Sequence, residues 1–324
     1  MKRAGAVVFL ILSMLGPARA EDTAREQADL LLLKATELEK FKPDEAVKYR
    51  REARFALVRP GMSDIKGTYV ILHDTSTRWR EDTEFGAFSF RQLRVSAQVW
   101  TKKNNDFTPL PVEEFWRAVN NTGFRMTNAD VVKRVHNRKI EDVETKCVDF
   151  EMVRGKETED GQICANGDPG LVVYWRYGTR EVFYSEYSEF AGALRPHHIR
   201  IVFAGTDSIV ADVSYARIDD FGTDAFVPMV DAESRRYCSS SQPAILEHAP
   251  DPVRPRTSSA YKGVVIVDVK IGTDGRVEKA EVAQTVHPDL DQAAVDAVKE
   301  WVYQPAKCDG EPVVTFGKVN VKFH

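Results

Sequence analysis

After its first sixteen residues the chain has no apolar run approaching the roughly 18 to 20 residues that cross a bilayer, so no later segment is expected to span a membrane. It has no Cys-x-x-Cys and no histidine at ligand spacing from a cysteine, which removes the common zinc frameworks. The Gly-x-Ser-x-Gly elbow, His-Glu-x-x-His, the phosphate loop and the dinucleotide fingerprint are all missing, and with them the chemistries they carry. An excess of positive charge is missing too. Lys and Arg number 45 against 49 Asp and Glu, a formal charge of −4, so nothing draws the whole chain to nucleic acid. No catalytic group, cofactor or metal is expected. The chain reads as a binding protein, not an enzyme.

What is present begins with an export signal. Lys2 and Arg3 precede the apolar run Ala4 to Gly16, and Pro17, Ala18, Arg19 and Ala20 follow. A basic start, a 13-residue apolar core and an Ala-x-Ala site describe a signal peptide cut before Glu21. Cutting there removes three cations and takes the charge from −4 to −7. The expectation is a periplasmic protein; an uncleaved N-terminal helix anchored in the inner membrane is the alternative. Length and a hydrophobic fraction of 43% suggest two domains with real cores, one of ordinary size and one small.

The small domain has the clearest pattern. Val265, Val267, Val269 and Ile271 alternate with Asp268 and Lys270, and Asp274-Gly275 ends the run. A period of two closed by Asp-Gly is a strand entering a hairpin, with Arg276 to Ala283 as the return. The period then becomes helical at Leu290, Ala293, Ala294, Ala297, Val298 and Trp301, with Asp289 as expected N-cap and Gln292 in capping-box position. Tyr303 to Pro305 stops the helix, Asp309-Gly310 turns, and Pro312 to Phe323 is a last strand with Val319, Val321 and Phe323 on one face.

These landmarks resemble a known family. Gly263, Val264, Val265, Val267, Val269 and Ile271, then Asp274, Gly275 and Val277, open the pattern. Leu290, Asp291, Ala293, Ala294, Ala297, Val298 and Trp301 continue it, and Tyr303, Pro305, Ala306, Asp309, Gly310, Pro312 and Val313 close it. Together they look like the C-terminal domain of TonB-family energy transducers. The resemblance implies a domain that binds outer-membrane TonB-dependent transporters by taking an extended segment as an added strand. On this chain the implied edge is Val313, Val314, Thr315, Phe316, Gly317, Lys318, Val319, Asn320 and Val321. Main-chain groups would supply affinity, with Lys318, Asn320 and Lys322 tuning it. A free edge is a template for strand addition in any case, and a second copy of the chain could also use it. The family's long Pro-rich spacer and retained membrane helix are not matched here, which puts energy transduction in doubt.

Residues 21–237 read as an amphipathic helix followed by a long antiparallel meander. The helix runs from Glu21 to Lys40 with Ala24, Ala28, Leu31, Leu32, Ala35 and Leu38 on its stripe. A short helical piece is expected at Asp44 to Arg51, and strands at Lys66 to His73, Thr77 to Glu84, Phe88 to Arg91 and Arg94 to Thr101. Helices are expected at Val112 to Asn120 and Ala129 to Val135. Strands then run Thr145 to Val153, Gln162 to Cys164, Leu171 to Tyr177, Arg180 to Tyr187, His198 to Ala204 and Ser208 to Ile218, with Glu157 to Asp160 in a solvated hairpin loop. Strand order is similar, at the level of fold, to the half-barrels of periplasmic lipoprotein carriers. That resemblance implies a second possibility, a lipid or hydrophobic-ligand carrier. The fold class is α+β: a large curved antiparallel sheet with packed helices, then a small β-β-α-β domain at 261–324.

Residues 238–260 carry Pro243, Pro250, Pro252 and Pro255 and are expected to be an extended linker. Four cysteines in an exported chain imply two disulfides. Of three possible pairings, Cys147 with Cys164 and Cys238 with Cys308 is the expected one. His197 and His198 are adjacent and should point to opposite faces, so they do not make a metal site. His73, Asp74 and Ser76 lie too close along an extended segment to converge as a triad.

Overall fold

The computed structural model describes residues 17–40, 47–120, 126–127, 129–154, 157–203, 207–258 and 260–323. Of the expected signal peptide, residues 1–20, the first sixteen lie outside them; the helix Pro17–Glu39 runs through the expected cleavage position. No helix among the described residues is long and apolar enough to cross a membrane. The chain forms two compact units.

The first unit takes the described residues up to 40, then 58–63 and 118–213. Its strands follow one another as an antiparallel meander: Val131–Ile140, Val143–Arg154, Glu157–Asn166, Val172–Tyr177, Arg180–Ser185, His198–Phe203 and Asp207–Arg217. Val148, Ile163, Val182, Ile199, Ile201 and Ile209 alternate inward and are wholly or almost wholly buried. The helix buries Ala28, Leu32, Ala35 and Glu39, one stripe at helical spacing. Burial pushes the Glu39 carboxyl up to about 7, against the opposing charge of Arg195 and a hydrogen bond from the Val172 backbone. Cys147 and Cys164, directly opposite on neighbouring strands, are disulfide-bonded.

The second unit takes residues 46–57, 64–117 and 214–324. Its part of the large sheet is again a meander: Tyr49–Val58, Ile65–Thr75, Arg78–Phe85, Phe88–Val95 and Gln98–Lys103, with Glu233–Arg236 paired beyond. The helix Leu110–Val119 lays Phe115 on it. The Phe115 ring stacks on Phe55 at 4.2 Å and meets Tyr69 edge-on at 5.4 Å.

The C-terminal residues complete this unit. Gly263–Ile271 is the middle strand of three, with Val277–Gln284 on one side and Thr315–Phe323 on the other. The helix Pro288–Lys299 covers one face, and Leu290, Ala294 and Val298 pack onto Val265, Val267, Val269 and Ile271. The hairpin depends on Gly275 at φ +80°, where a Cβ would stand 1.8 Å from the Tyr303 carbonyl oxygen. The structure thus has the expected α+β class, a large curved antiparallel sheet and a small β-rich C-terminal part.

Several local expectations differ from the structure. Ala129 to Val135 is not a helix; Val131–Ile140 is a strand, because pairing with Val143–Arg154 satisfies its backbone and its β-branched valines suit the pleat. Strand Tyr49–Val58 begins inside the expected helical piece Asp44 to Arg51, whose first residues lie outside the described ones. Phe88–Val95 is unbroken, and the chain turns instead at Ser96, at φ 56°, with no glycine there to announce it. Glu157 to Asp160 lies in a strand, with Asp160 ion-paired to Lys133 across the sheet. The N-cap of the last helix is His287, not Asp289; Pro288 takes the first helical position. The last strand begins at Thr315, not Pro312. Residues 238–260 are not a bare linker: Ser241–Gln242 pairs with Lys307–Cys308, and Ile245–His248 pairs with Val302–Gln304.

Candidate functional site: the outer face and edge of the C-terminal sheet

Among the described residues, Thr315–Phe323 pairs with a strand on one side only, Gly263–Ile271, in a register that sets Val319 opposite Val267. Its other edge has no strand beside it among the described residues. Val321 and Phe323 point into the core, whereas Phe316, Asn320 and Lys322 are exposed. Of the expected edge residues, Val313 and Val314 precede the strand, and the Val313 N–H is already donated to the Ala306 carbonyl at 2.8 Å. Thr315 to Val321 all lie on the strand.

The outer face, opposite the helix, is not the open polar surface its alternation suggests. Lys318 is turned into a closed cluster. Its Nζ donates to Asp268 Oδ1 at 2.5 Å, to Glu113 Oε1 at 2.8 Å and to the Thr108 carbonyl at 2.7 Å. Its side chain is 8% exposed. The expectation that Lys318 tunes a bound segment is therefore corrected: all three of its ammonium hydrogens have partners inside the protein. Burial raises the Asp268 carboxyl above its usual range, while the Lys318 ammonium pulls it back down.

Residues 103–108 supply the rest of the cover. Phe107 is buried and meets the Phe316 ring edge-on at 6.0 Å. Lys103 Nζ sits 4.0 Å from the centre of that Phe316 ring. Lys279, from the opposite flanking strand, pairs with Asp106 at 2.8 Å and lies over Phe107. Nothing in Asp106, Phe107, Thr108 or Glu113 marks them as partners of a strand some 200 positions later.

Beside this cover opens a cleft of about 870 Å³. Val313 to Gly317 form one wall with the Lys307–Cys308 turn; residues 90–108 and 233–243 form the other. Burial lowers the Lys103 ammonium from its ordinary value, and the nearby cations Lys270 and Lys279 act in the same direction. Cys238 and Cys308 are disulfide-bonded at its rim, as expected from the sequence.

Residues 257–324 match the Gram-negative bacterial TonB protein C-terminal family. The TonB C-terminal match covers the three-stranded sheet, its helix and the edge described above, and leaves residues 1–256 outside it. No curated protein matches the chain in sequence. Among solved structures the chain is similar to a LolA superfamily protein from Nitrosomonas europaea, at 14% identity and a TM-score of 0.39, over 62% of this chain and 97% of that one. It is also similar to a DUF1329 family protein from Desulfovibrio piger, at 12% identity and a TM-score of 0.40, over 63% and 96%. Likenesses this distant carry no functional argument. Thr108 and Glu113, which hold Lys318, lie outside the matched residues.

The remaining polar groups that sequence singled out are occupied locally. His198 Nδ1 lies 2.9 Å from Asp212 Oδ1, and His197 Nε2 lies 2.7 Å from Ser188 Oγ. Asp74 is ion-paired to Lys48 and Arg78, and His73 stacks on Tyr49. Phe85, Phe88, Tyr174, Trp175 and Tyr184 are buried.

Proposed function

We propose that this chain is a periplasmic binding protein whose C-terminal domain captures an extended segment of an outer-membrane TonB-dependent transporter. The segment adds as a fourth strand beside Thr315–Phe323. The observation that carries the reading is the one-sided pairing of that strand, whose outward N–H and C=O groups are a template for another backbone. The TonB C-terminal match supports the class of partner. Affinity would come from the main chain between Thr315 and Val321, and the exposed side chains Asn320 and Lys322 would adjust it. The role is binding, with no chemical step.

Proline scanning tests this. In an antiparallel strand successive N–H groups point to opposite edges, so of Val319 and Asn320 one donates inward and the other outward. Val319→Pro and Asn320→Pro are each compared with the native chain for thermal stability and for capture of transporters from outer-membrane extract. The expected result is that the variant retaining near-native stability loses capture. If the variant that folds like the native chain also captures as well as it, the reading is sunk.

A further inference from the structure

The two disulfides differ in their surroundings. Cys147 and Cys164 are wholly buried, packed with Ile140, Tyr174 and Phe183. Cys238 and Cys308 are only partly buried, and both line the cleft of about 870 Å³. Their neighbours Ser239, Ser240, Lys307 and Asp309 are exposed. Arg235 Nη1 lies 3.9 Å from Cys238 Sγ. A guanidinium beside a sulfur favours its thiolate, and the sulfur with the more stable thiolate leaves faster. An accessible bond and a stabilised leaving group are what exchange requires. We infer that Cys238–Cys308 is a thiol–disulfide exchange site, cleaved by a dithiol reductant while the protein stays folded.

In the first step a thiolate of the reductant attacks Cys308 Sγ. The bond to Cys238 breaks, and its electron pair stays on Cys238 Sγ beside Arg235. The reductant's second thiolate then displaces Cys308 Sγ from the mixed disulfide. The reductant ends as a disulfide, and its two protons end on the two cysteines.

The bond secures one wall of the cleft. Once it is cut, residues 238–242 are held to the 307–309 turn by short contacts alone. Ser241–Gln242 pairs with Lys307–Cys308, Ser239 Oγ and the Ser240 N–H donate to Asp309 Oδ1 at 2.6 and 2.8 Å, and the Asp309 N–H donates to the Ser240 carbonyl at 2.7 Å. Exposed hydrogen bonds of this kind open locally at low cost. The C-terminal sheet keeps its own core of Val265, Val267, Val269 and Leu290. Reduction therefore loosens the wall opposite Val313 to Gly317 and leaves the sheet in place.

The test treats the full chain with dithiothreitol in native buffer, quenches with N-ethylmaleimide at intervals and maps the labels by mass spectrometry. Label is expected on Cys238 and Cys308 while Cys147–Cys164 stays oxidised. Arg235→Gln should slow labelling about threefold, the size of effect one exposed charge supplies, and Arg235→Lys should restore the rate. In the chain kept reduced, amide hydrogen exchange should quicken over residues 238–243 and stay slow over Val265 to Ile271. Labelling of all four cysteines at one rate, or of neither Cys238 nor Cys308, overturns the inference. So does an unchanged rate in Arg235→Gln, or unchanged hydrogen exchange over residues 238–243.

Discussion

Among the described strands that stand at the end of a sheet with one neighbour each are Val131–Ile140 in the first unit and Thr315–Phe323 in the second. Their surfaces differ. The first carries Lys133, Arg134, His136, Arg138 and Lys139 in ten residues, several reaching back to carboxylates on its own sheet. Such an edge repels another copy of itself and offers an incoming strand a row of long, occupied side chains. The second carries only Lys318 and Lys322, and Lys318 is folded away into its cluster with Asp268 and Glu113. Its exposed residues include Phe316 and Asn320. Charge crowds one edge and is sparse on the other. That contrast argues for strand addition at the second more directly than its being unpaired does, since both are unpaired.

The largest effect should come from proline. At whichever of Val319 and Asn320 donates outward, proline is expected to eliminate transporter capture. The same substitution at an outward position of Val131–Ile140 should leave capture at the native level. Capture lost in both cases would mean that the two edges do not differ in function.

Next in size is the withdrawn lysine. Lys318→Met leaves the buried Asp268 and partly buried Glu113 carboxylates without their cation, at a cost of about 3 kcal/mol. Urea unfolding monitored by circular dichroism should show a lower midpoint, and transporter capture should weaken because the face beside the edge is disturbed. A midpoint equal to that of the native chain would show that the cluster contributes nothing to fixing this face.

Buried charge in the first unit gives a smaller, pH-dependent effect. Glu39 holds its proton more tightly in the folded chain, so its contribution is fully present below about 4.5. It is lost as pH rises toward about 7, amounting to about 3 kcal/mol across that window. Glu39→Gln should flatten the fall in stability between those pH values, measured by thermal melts. An unchanged pH profile in Glu39→Gln would assign the dependence to other groups. Smallest of all, Lys322→Ser should change stability by less than about 0.5 kcal/mol, because that side chain is exposed. Its effect should appear only as a modest change in the salt dependence of transporter capture.

Much of the C-terminal sheet was readable in advance. The alternation of Val265, Val267, Val269 and Ile271 sets their common face, and all four are buried. Asp274-Gly275 turns the hairpin, and Leu290, Ala294 and Val298 keep helical spacing. Both disulfides were also expected. The errors cluster where two periods fit one stretch. Ala129, Val132 and Val135 satisfy a helical spacing, and only a partner strand decides against it. His287 capped a helix because Pro288 suits its first position, a choice that Asp289 obscured.

By itself the sequence determined which residues face the core of the small sheet, where it turns and which strand closes it, because those follow from local periodicity and turn chemistry. Tertiary structure alone decided what the outer face does. On alternation Lys318 is a solvated cation and Asp268 a solvated carboxylate; in the fold they are buried together beneath Thr108 and Glu113. Those partners lie more than 200 residues earlier in the chain. No local pattern records a contact at that distance, since it exists only once both walls of the cleft have been brought together.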